Sequence, residues 1–286
     1  MPGLGALRRA VLLMALAAFP FACGAASAWM NSMQARQTPL IIERIEKEDQ
    51  ADAQAVAAAA DVQDLPRVLI YHTHTWEAYE MTEQTRYEPT ETWRTKDERY
   101  NMICVGEALA RELTERGFLV VHDTTAFEPP NLSSAYSRSL EMLEDRMADG
   151  EAYDYIFDVH RDAYSGKAGG INSVAQGDAS VAYVMMLVGK GTGATGSGFD
   201  ERPEWPKNLE LAQRITDEMN ALLPGVARDV KIKTGRFNQH VSTGALLIEI
   251  GNNQNTLDEA LAACPVIAQA VARVHFGQLS DELSHM

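Results

Sequence analysis

Short apolar runs alternate with segments of helical periodicity through most of the chain. Five runs, rich in β-branched and aromatic residues, are typical of buried strands: 67–71 (RVLIY), 118–122 (FLVVH), 155–159 (YIFDV), 181–188 (VAYVMMLV) and 245–250 (ALLIEI). Apolar residues recur at helical spacing in 100–116, 134–147, 209–223 and 256–276. Strands separated by helices predict a three-layer α/β domain with a mainly parallel central sheet, formed by residues 66–286.

The N-terminal part of the chain follows a different pattern. Residues 1–28 carry two arginines and then a nearly unbroken apolar run, which predicts a secretory signal peptide or an uncleaved membrane anchor. The run is close to the ~20 residues of a membrane span, so its hydropathy does not decide between the two. Residues 29–65 are acidic, polar and Ala-rich and are predicted to form a stalk. We therefore expect an exported protein, either anchored to the membrane or secreted.

Composition excludes some classes of function. The 286 residues are 46% hydrophobic and 23% charged, which is typical of a globular protein. A net charge of −15 would repel a polyphosphate backbone, so no nucleic-acid partner is expected. Cys104 and Cys264 each lie in an apolar helical pattern and are predicted to be buried and unpaired, which excludes a cysteine-based metal site. Cys23 leaves lipidation as an alternative, although the residues before it depart from the usual lipoprotein pattern.

Ionisable residues lie at the ends of three predicted strands. They are His72, His74 and Glu77 after the first strand, His160, Arg161 and Asp162 after 155–159, and Glu249 near the end of 245–250. In open α/β sheets, chemistry collects at the carboxyl ends of the strands. Adjacent strands are about 4.8 Å apart, so these side chains are expected to converge.

The types and spacing of these residues indicate a zinc site. A catalytic zinc ion uses three protein ligands, typically imidazoles and a carboxylate, and leaves a fourth position for water. His74 and Glu77 are three residues apart, which places both on one side of a helical turn, and His160 would complete the set. His72 remains an alternative ligand or a substrate contact, because on an extended strand it shares a face with His74.

Glu249 is the predicted catalytic base. It interrupts an apolar strand, where a carboxylate needs a partner, a metal or a raised pKa. A base that titrates near neutrality is what metal-assisted hydrolysis requires. The alternative is a structural ion pair with Arg161. Asp158 is predicted to orient the imidazole of His160 rather than to bind the metal, and Arg161 to support the site from behind the ligands.

Three motifs resemble the signature blocks of the stage II sporulation protein P family: 71–79 (YHTHTWEAY), 158–163 (DVHRDA) and 247–256 (LIEIGNNQNT). The resemblance covers residues 67–276 in the expected order. It implies the fold and chemistry of zinc-dependent N-acetylmuramoyl-L-alanine amidases, which cleave the amide between N-acetylmuramic acid and L-alanine in peptidoglycan. It also implies an endopeptidase activity on the cross-links and a role in engulfment during sporulation.

The resemblance also concerns location and partners. It implies attachment to the membrane, with the domain facing the cell wall, and partnership with stage II sporulation proteins D and M. The chain departs from the family pattern at Trp76 and in the glycine-rich segment 189–198. A flexible lid or rim is expected from that segment, and the departures bear on substrate fit more than on chemistry.

Two other functions share part of this pattern. A barrel-type metal-dependent hydrolase also has a His-x-His pair after its first strand, but it requires eight strands, and too few are predicted here. A catalytically silent module that only binds or scaffolds the wall would keep the fold. Intact His74, Glu77, His160 and Glu249 argue against that second alternative.

Overall fold

The computed structural model describes residues 65–163, 172–191 and 204–284. The predicted anchor, nearly all of the predicted stalk and most of the glycine-rich segment lie outside these ranges. The strands and helices are β1 (Arg67–Tyr71), α1 (Met102–Glu115), β2 (Leu119–His122), α2 (Ala135–Ala148), β3 (Tyr155–Asp162), β4 (Ser173–Gln176), β5 (Ala179–Ala182), β6 (Val184–Gly189), α3 (Trp205–Leu222), β7 (Ala227–Lys233), β8 (Ala245–Asn252) and α4 (Leu257–Ser284). Two 3-10 turns, Leu132–Ser134 and Gln239–Val241, lie between them.

Six strands form the central sheet, in the order β2-β1-β3-β8-β6-β7. The first four in this order are parallel to one another. β6 is antiparallel to β8, and β7 is parallel to β6. The predicted α/β class with a mainly parallel sheet is confirmed. Because β2 and β7 are free edges of an open sheet, the barrel-type alternative is wrong for the described domain.

Helices cover both faces of the sheet, which gives the three predicted layers. On one face, α2 packs on a cluster that includes Leu69, Tyr71, Leu143 and Ile156. On the other face, α4 lies beside both α1 and α3. The Cys264 thiol contacts the carbonyl of Val105 in α1. The central strands are therefore shielded from water on both faces, as their continuous apolar sequences require.

The helix ends follow local chemistry. Asn101 precedes α1, and its side chain accepts a hydrogen bond from the backbone N–H of Ile103 at 2.9 Å. Thr256 and Glu259 form the expected capping box at the start of α4. Glu259 accepts from the N–H of Thr256 at 2.9 Å, and Thr256 accepts from the N–H of Glu259 at 3.3 Å.

The C-terminal strands differ from the sequence prediction. The apolar run 181–188 is interrupted at Tyr183, so its first part belongs to β5, which pairs with β4 in a separate antiparallel hairpin. β7 was not predicted, because its sequence ARDVKIK is largely charged and exposed. It is an edge strand, where charged residues are common.

The two described cysteines and the most apolar helix, α4, are part of the core. Cys104 and Cys264 are buried, as predicted, and neither forms a disulfide with another described residue. Within the described residues, one segment, Leu257–Gly277 of α4, is long and apolar enough to cross a membrane. Its most apolar window is 67% buried inside the protein, as expected for the central helix of a helical layer.

Candidate active site

The turn after β1 positions His74 and Glu77. β1 ends at Tyr71, and the chain turns through 73–76, with the N–H of Glu77 donating to the carbonyl of His74 at 3.3 Å. Asp158 of β3 holds this turn, because it accepts from the N–H of Thr73 at 2.8 Å and from its hydroxyl at 2.7 Å. His74 and Glu77 are thereby brought to the carboxyl end of β3.

Glu77 meets His160 directly. The Oε2 atom of Glu77 lies 3.5 Å from Nδ1 of His160 and accepts from the N–H of Arg161 at 3.2 Å. Burial alone would raise the pKa of Glu77, but His160 and the charge of Arg161 lower it to about 2. Glu77 is thus an ionised carboxylate aimed at an imidazole nitrogen.

Asp158 contacts the other side of the His160 ring. Its Oδ1 atom lies 2.7 Å from Nε2 of His160. Burial opposes a charged imidazole, but Asp158 and Glu77 outweigh it, so the pKa of His160 stands well above its ordinary value. With Nε2 beside a carboxylate, Nδ1 is the nitrogen that faces Glu77. A carboxylate behind a histidine is the usual support of a metal-binding imidazole. Because an imidazolium has no vacant nitrogen, His160 would release its Nδ1 proton on binding a metal.

His74 is the third predicted ligand and lies beside His160. Its ring centroid lies 5.3 Å from that of His160 and 5.5 Å from that of Tyr136, at the start of α2. The pKa of His74 is lowered to about 4 by burial and by the nearby His160. Its Nδ1 atom is buried and has no hydrogen-bond partner. Neutral imidazole with a vacant nitrogen is the form that binds metals.

The donor set fits a zinc ion in chemistry and in part in geometry. Two ligands bound to one zinc ion at 2.0–2.2 Å are about 3.3–3.6 Å apart in a tetrahedron, and the separation of His160 Nδ1 and Glu77 Oε2 is 3.5 Å. Across the described residues, no three His, Cys, Asp or Glu side chains are arranged as a ready-made metal site. His74, whose side chain is 21% exposed, is the member that would have to turn toward the other two.

His72 has a different environment from the one expected. Its side chain is fully buried, with Nδ1 2.8 Å from the carbonyl of Val159 and Nε2 2.9 Å from Nε2 of His122. Since a carbonyl only accepts, Nδ1 of His72 donates to Val159, and its Nε2 accepts from His122. Gly106 of α1 lies against the ring. Both nitrogens are therefore engaged on the α1 side of the sheet, away from Glu77.

Glu249 lies beside His160 on the neighbouring strand. The register pairs His160 with Glu249, so the two side chains leave the same face of the sheet. Oε2 of Glu249 is buried without a hydrogen-bond partner. Burial raises the pKa of Glu249 to about 8; Glu77 adds to the shift, and His160 opposes it. A carboxyl group of this pKa can both take and return a proton near neutrality.

Arg161 does not form the ion pair with Glu249 that the sequence left open. Its Nε atom donates to the carbonyl of Ala78 at 3.0 Å, and one terminal nitrogen donates to the carbonyl of Trp93 at 3.1 Å. Consecutive residues of a strand point to opposite faces, which separates Arg161 from the face of His160. Arg161 supports the site in two ways. Its backbone N–H donates to Glu77, and its side chain holds the loop that lies over the site.

The sequence interpretation missed residues that come from loops and from the start of α2. Glu128 is buried and paired with Arg94, and its Oε1 atom lies 3.8 Å from Nδ1 of His74. Burial raises the pKa of Glu128, although Arg94 opposes the shift. Tyr136 stacks on His160 with ring centroids 6.5 Å apart. These residues follow no predicted strand, so the strand-end argument could not find them.

Comparison with known proteins identifies a family. The family model of stage II sporulation protein P (SpoIIP) matches residues 27–272. Stage II sporulation protein P of Bacillus subtilis (strain 168) is 25% identical over 220 residues, which is 73% of this chain. The chain spans about half of that relative's length (51%).

Solved structures with a similar course of the chain include two from clostridia. The CwlD amidase of Clostridioides difficile, in complex with the GerS lipoprotein, covers 75% of this chain and 98% of its own, with 13% identity and a TM-score of 0.47. The N-acetylmuramoyl-L-alanine amidase of Clostridium difficile 630 covers 76% and 98%, with 17% identity and a TM-score of 0.43.

Proposed function

We propose that this chain, which belongs to the stage II sporulation protein P family, is a zinc-dependent hydrolase of peptidoglycan. The bond it would cleave is the amide between N-acetylmuramic acid and the L-alanine of the stem peptide. The convergence of His74, Glu77 and His160 beside Glu249, whose Oε2 atom is buried and unpartnered, carries the proposal. An endopeptidase activity on the cross-links is a further expectation from the family.

His74, Glu77 and His160 are the residues that would hold the ion. Bound there, zinc would supply a Lewis acid for the carbonyl of the scissile amide. Asp158 fixes the His160 ring and the turn that carries His74, so one buried carboxylate aligns two of the three ligands. Arg161 holds the Glu77 carboxylate through its backbone N–H.

Glu249 is proposed to move the proton. Its carboxylate would take a proton from the attacking water and pass it to the nitrogen of L-alanine as the C–N bond breaks. Burial favours the protonated form of Glu249, and its unpartnered Oε2 has no competing donor. Transfer by a positioned base of this kind contributes typically about 10²–10⁴ in rate.

The place of action follows from the family and from the N-terminal sequence. We propose an exported domain that faces the cell wall, held by an anchor or released, and acts in engulfment. Stage II sporulation proteins D and M are its proposed partners. The apolar residues 1–28 and the acidic residues 29–65 support this arrangement.

Digestion of purified sacculi tests the proposal. The protein is loaded with zinc, and the released muropeptides are analysed by mass spectrometry. Products cut between N-acetylmuramic acid and L-alanine are expected, and products cut only within the peptide would redirect the assignment to an endopeptidase. Zinc content is measured on the same samples.

Two glutamate variants separate catalysis from folding. Glu249→Gln should keep stoichiometric zinc and lose turnover by at least about 100-fold. Glu259→Gln, which alters the capping box of α4 and the neighbouring hydrogen bond from Asn255, should keep both. Normal activity of Glu249→Gln would refute its role as the base. A wild-type protein that binds sacculi without releasing any product would support the catalytically silent alternative.

A further inference from the structure

A small, shallow groove lies beside Glu249. Asp162 of β3, Glu249 and Asn252 of β8, Tyr183 and Met185 before and in β6, and Arg228 of β7 line it. The register pairs Met185 with Glu249 on one side and with Arg228 on the other. Glu249, Met185 and Arg228 therefore form a row on one face of the sheet, across three adjacent strands.

Arg228 contributes a cation to this groove that contacts an aromatic ring but is not paired with a carboxylate. Its guanidinium carbon lies 4.8 Å from the centroid of the Tyr183 ring, a cation–π contact. Throughout the described parts of the chain, no carboxylate lies within ion-pair distance of Arg228, although the protein carries a net charge of −15. The backbone of Tyr183 is fixed on both sides, since its carbonyl accepts from Gly251 at 2.7 Å and its N–H donates to Asn172 at 3.0 Å.

We propose that Arg228, stacked on Tyr183, binds a carboxylate of the stem peptide. This inference rests on the proposed function, because it names the part of peptidoglycan that the groove recognises. A guanidinium matches a carboxylate with two parallel hydrogen bonds, and stacking on an aromatic ring restricts its orientation in advance. The glycan side of the scissile bond carries no charge for a cation to select.

The spacing indicates which carboxylate is bound. Two strand spacings of about 4.8 Å place β7 about 10 Å from β8. An extended peptide covers that distance in about three residues. Since Arg228 lies on β7, a carboxylate on the second or third residue of the stem peptide fits. Asp162, at the opposite end of the groove, would repel a carboxylate bound there.

A merely structural role of Arg228 makes a different prediction. Charged residues on an edge strand discourage pairing with another sheet. If Arg228 had only this role, its replacement would affect charged and neutral substrates equally. Lys231 offers a matched control. It lies on the same strand, and its partner Leu187 shares the face of Met185, but it is exposed and outside the groove.

The experiment compares two synthetic substrates of the zinc-loaded protein. One is an N-acetylmuramoyl tripeptide with free carboxylates, and the other is the same compound with those groups converted to carboxamides. Arg228→Gln should lower kcat/KM for the acid about tenfold to a hundredfold and for the carboxamide less than twofold. Lys231→Gln should change neither. An equal effect of Arg228→Gln on both compounds, or no effect on either, would overturn the proposal.

A binding measurement keeps the inference separate from the proposed function. If the wild-type protein cleaves neither compound, the proposed function fails, and the free stem tripeptide is then titrated by NMR. Weaker binding to Arg228→Gln than to Lys231→Gln supports the carboxylate site even then. Equal binding by the two variants overturns it. Thermal unfolding of both variants shows whether the fold is retained.

Discussion

Asp158 is the residue through which the fold and the proposed metal site can be tested together. It is 1% exposed and faces three donors: the N–H and the hydroxyl of Thr73, at 2.8 and 2.7 Å, and Nε2 of His160, at 2.7 Å. Burial alone would raise its pKa, but His160 and Thr73 lower it. Asp158→Asn preserves shape and removes the charge, and it puts an amide N–H₂ where one of the three donors needs an acceptor.

The expected loss has two parts. An unsatisfied buried donor costs about 1–3 kcal/mol of unfolding free energy, and a metal ligand that loses its supporting carboxylate loses about 10–100-fold in metal affinity. We expect both in Asp158→Asn. Unfolding is measured by denaturant titration of the zinc-free protein, and zinc affinity by competition with a chelator.

Asp123→Asn is the matched control. Asp123 is also a buried aspartate, 8% exposed, and it pairs with Arg146 at 2.6 Å. It lies after β2, away from the proposed ligands, so its replacement should cost a similar stability and leave zinc affinity unchanged. If both variants lost affinity equally, or if Asp158→Asn bound zinc like the wild type, the role assigned to Asp158 would be wrong.

Three further outcomes are expected. His74→Ala should lose zinc, whereas His72→Ala should keep it and lose about 1–3 kcal/mol of stability, because the hydrogen bonds of His72 are internal; zinc retained in the first and lost in the second would reverse the ligand assignment. Gly106→Ala should destabilise by about 1–3 kcal/mol in denaturant titration, since the added Cβ would lie 2.4 Å from Nε2 of His72; wild-type stability would contradict this packing. Hydrogen bonds from Arg146 depress the folded-state pKa of Asp123 against the effect of burial, so they stabilise the fold above the unfolded pKa of about 3.9, and this stability is lost as pH falls. Arg146→Met should therefore reduce the dependence of the unfolding free energy on pH in the acid range. An unchanged dependence would exclude the pair as its source.

The sequence predicted much of the sheet because its central strands are buried on both faces. Continuous apolar runs made β1, β3 and β8 recognisable, and the helical spacing of α1 and α4 was equally plain. β7 escaped because an exposed edge strand has no such run. The antiparallel direction of β6 depends on pairing with β8, which no local pattern encodes.

His72 shows why the histidine pair after β1 could not be resolved from spacing alone. If the strand had continued, His72 and His74 would share a face. The strand instead ends at Tyr71, and Asp158, 85 residues away in the chain, holds the turn at Thr73. His72 then continues the α1 side of β1, while His74 swings toward His160. The deciding contact is long-range, and Glu128 reached the site by the same kind of contact.

The two glutamates of the site acquire different chemistry from their surroundings. His160 and Arg161 lower the pKa of Glu77 to about 2 despite burial, whereas burial raises the pKa of Glu249 to about 8. Pairs of groups whose pKa values are pushed apart mark an acid–base assignment. An always-ionised carboxylate suits a ligand, and one that gains and loses a proton near neutrality suits a base. The sheet register pairs His160 with Glu249, so it places the proposed base beside the proposed ligands without any further motif. A plain β-strand can therefore carry the proposed catalytic residue.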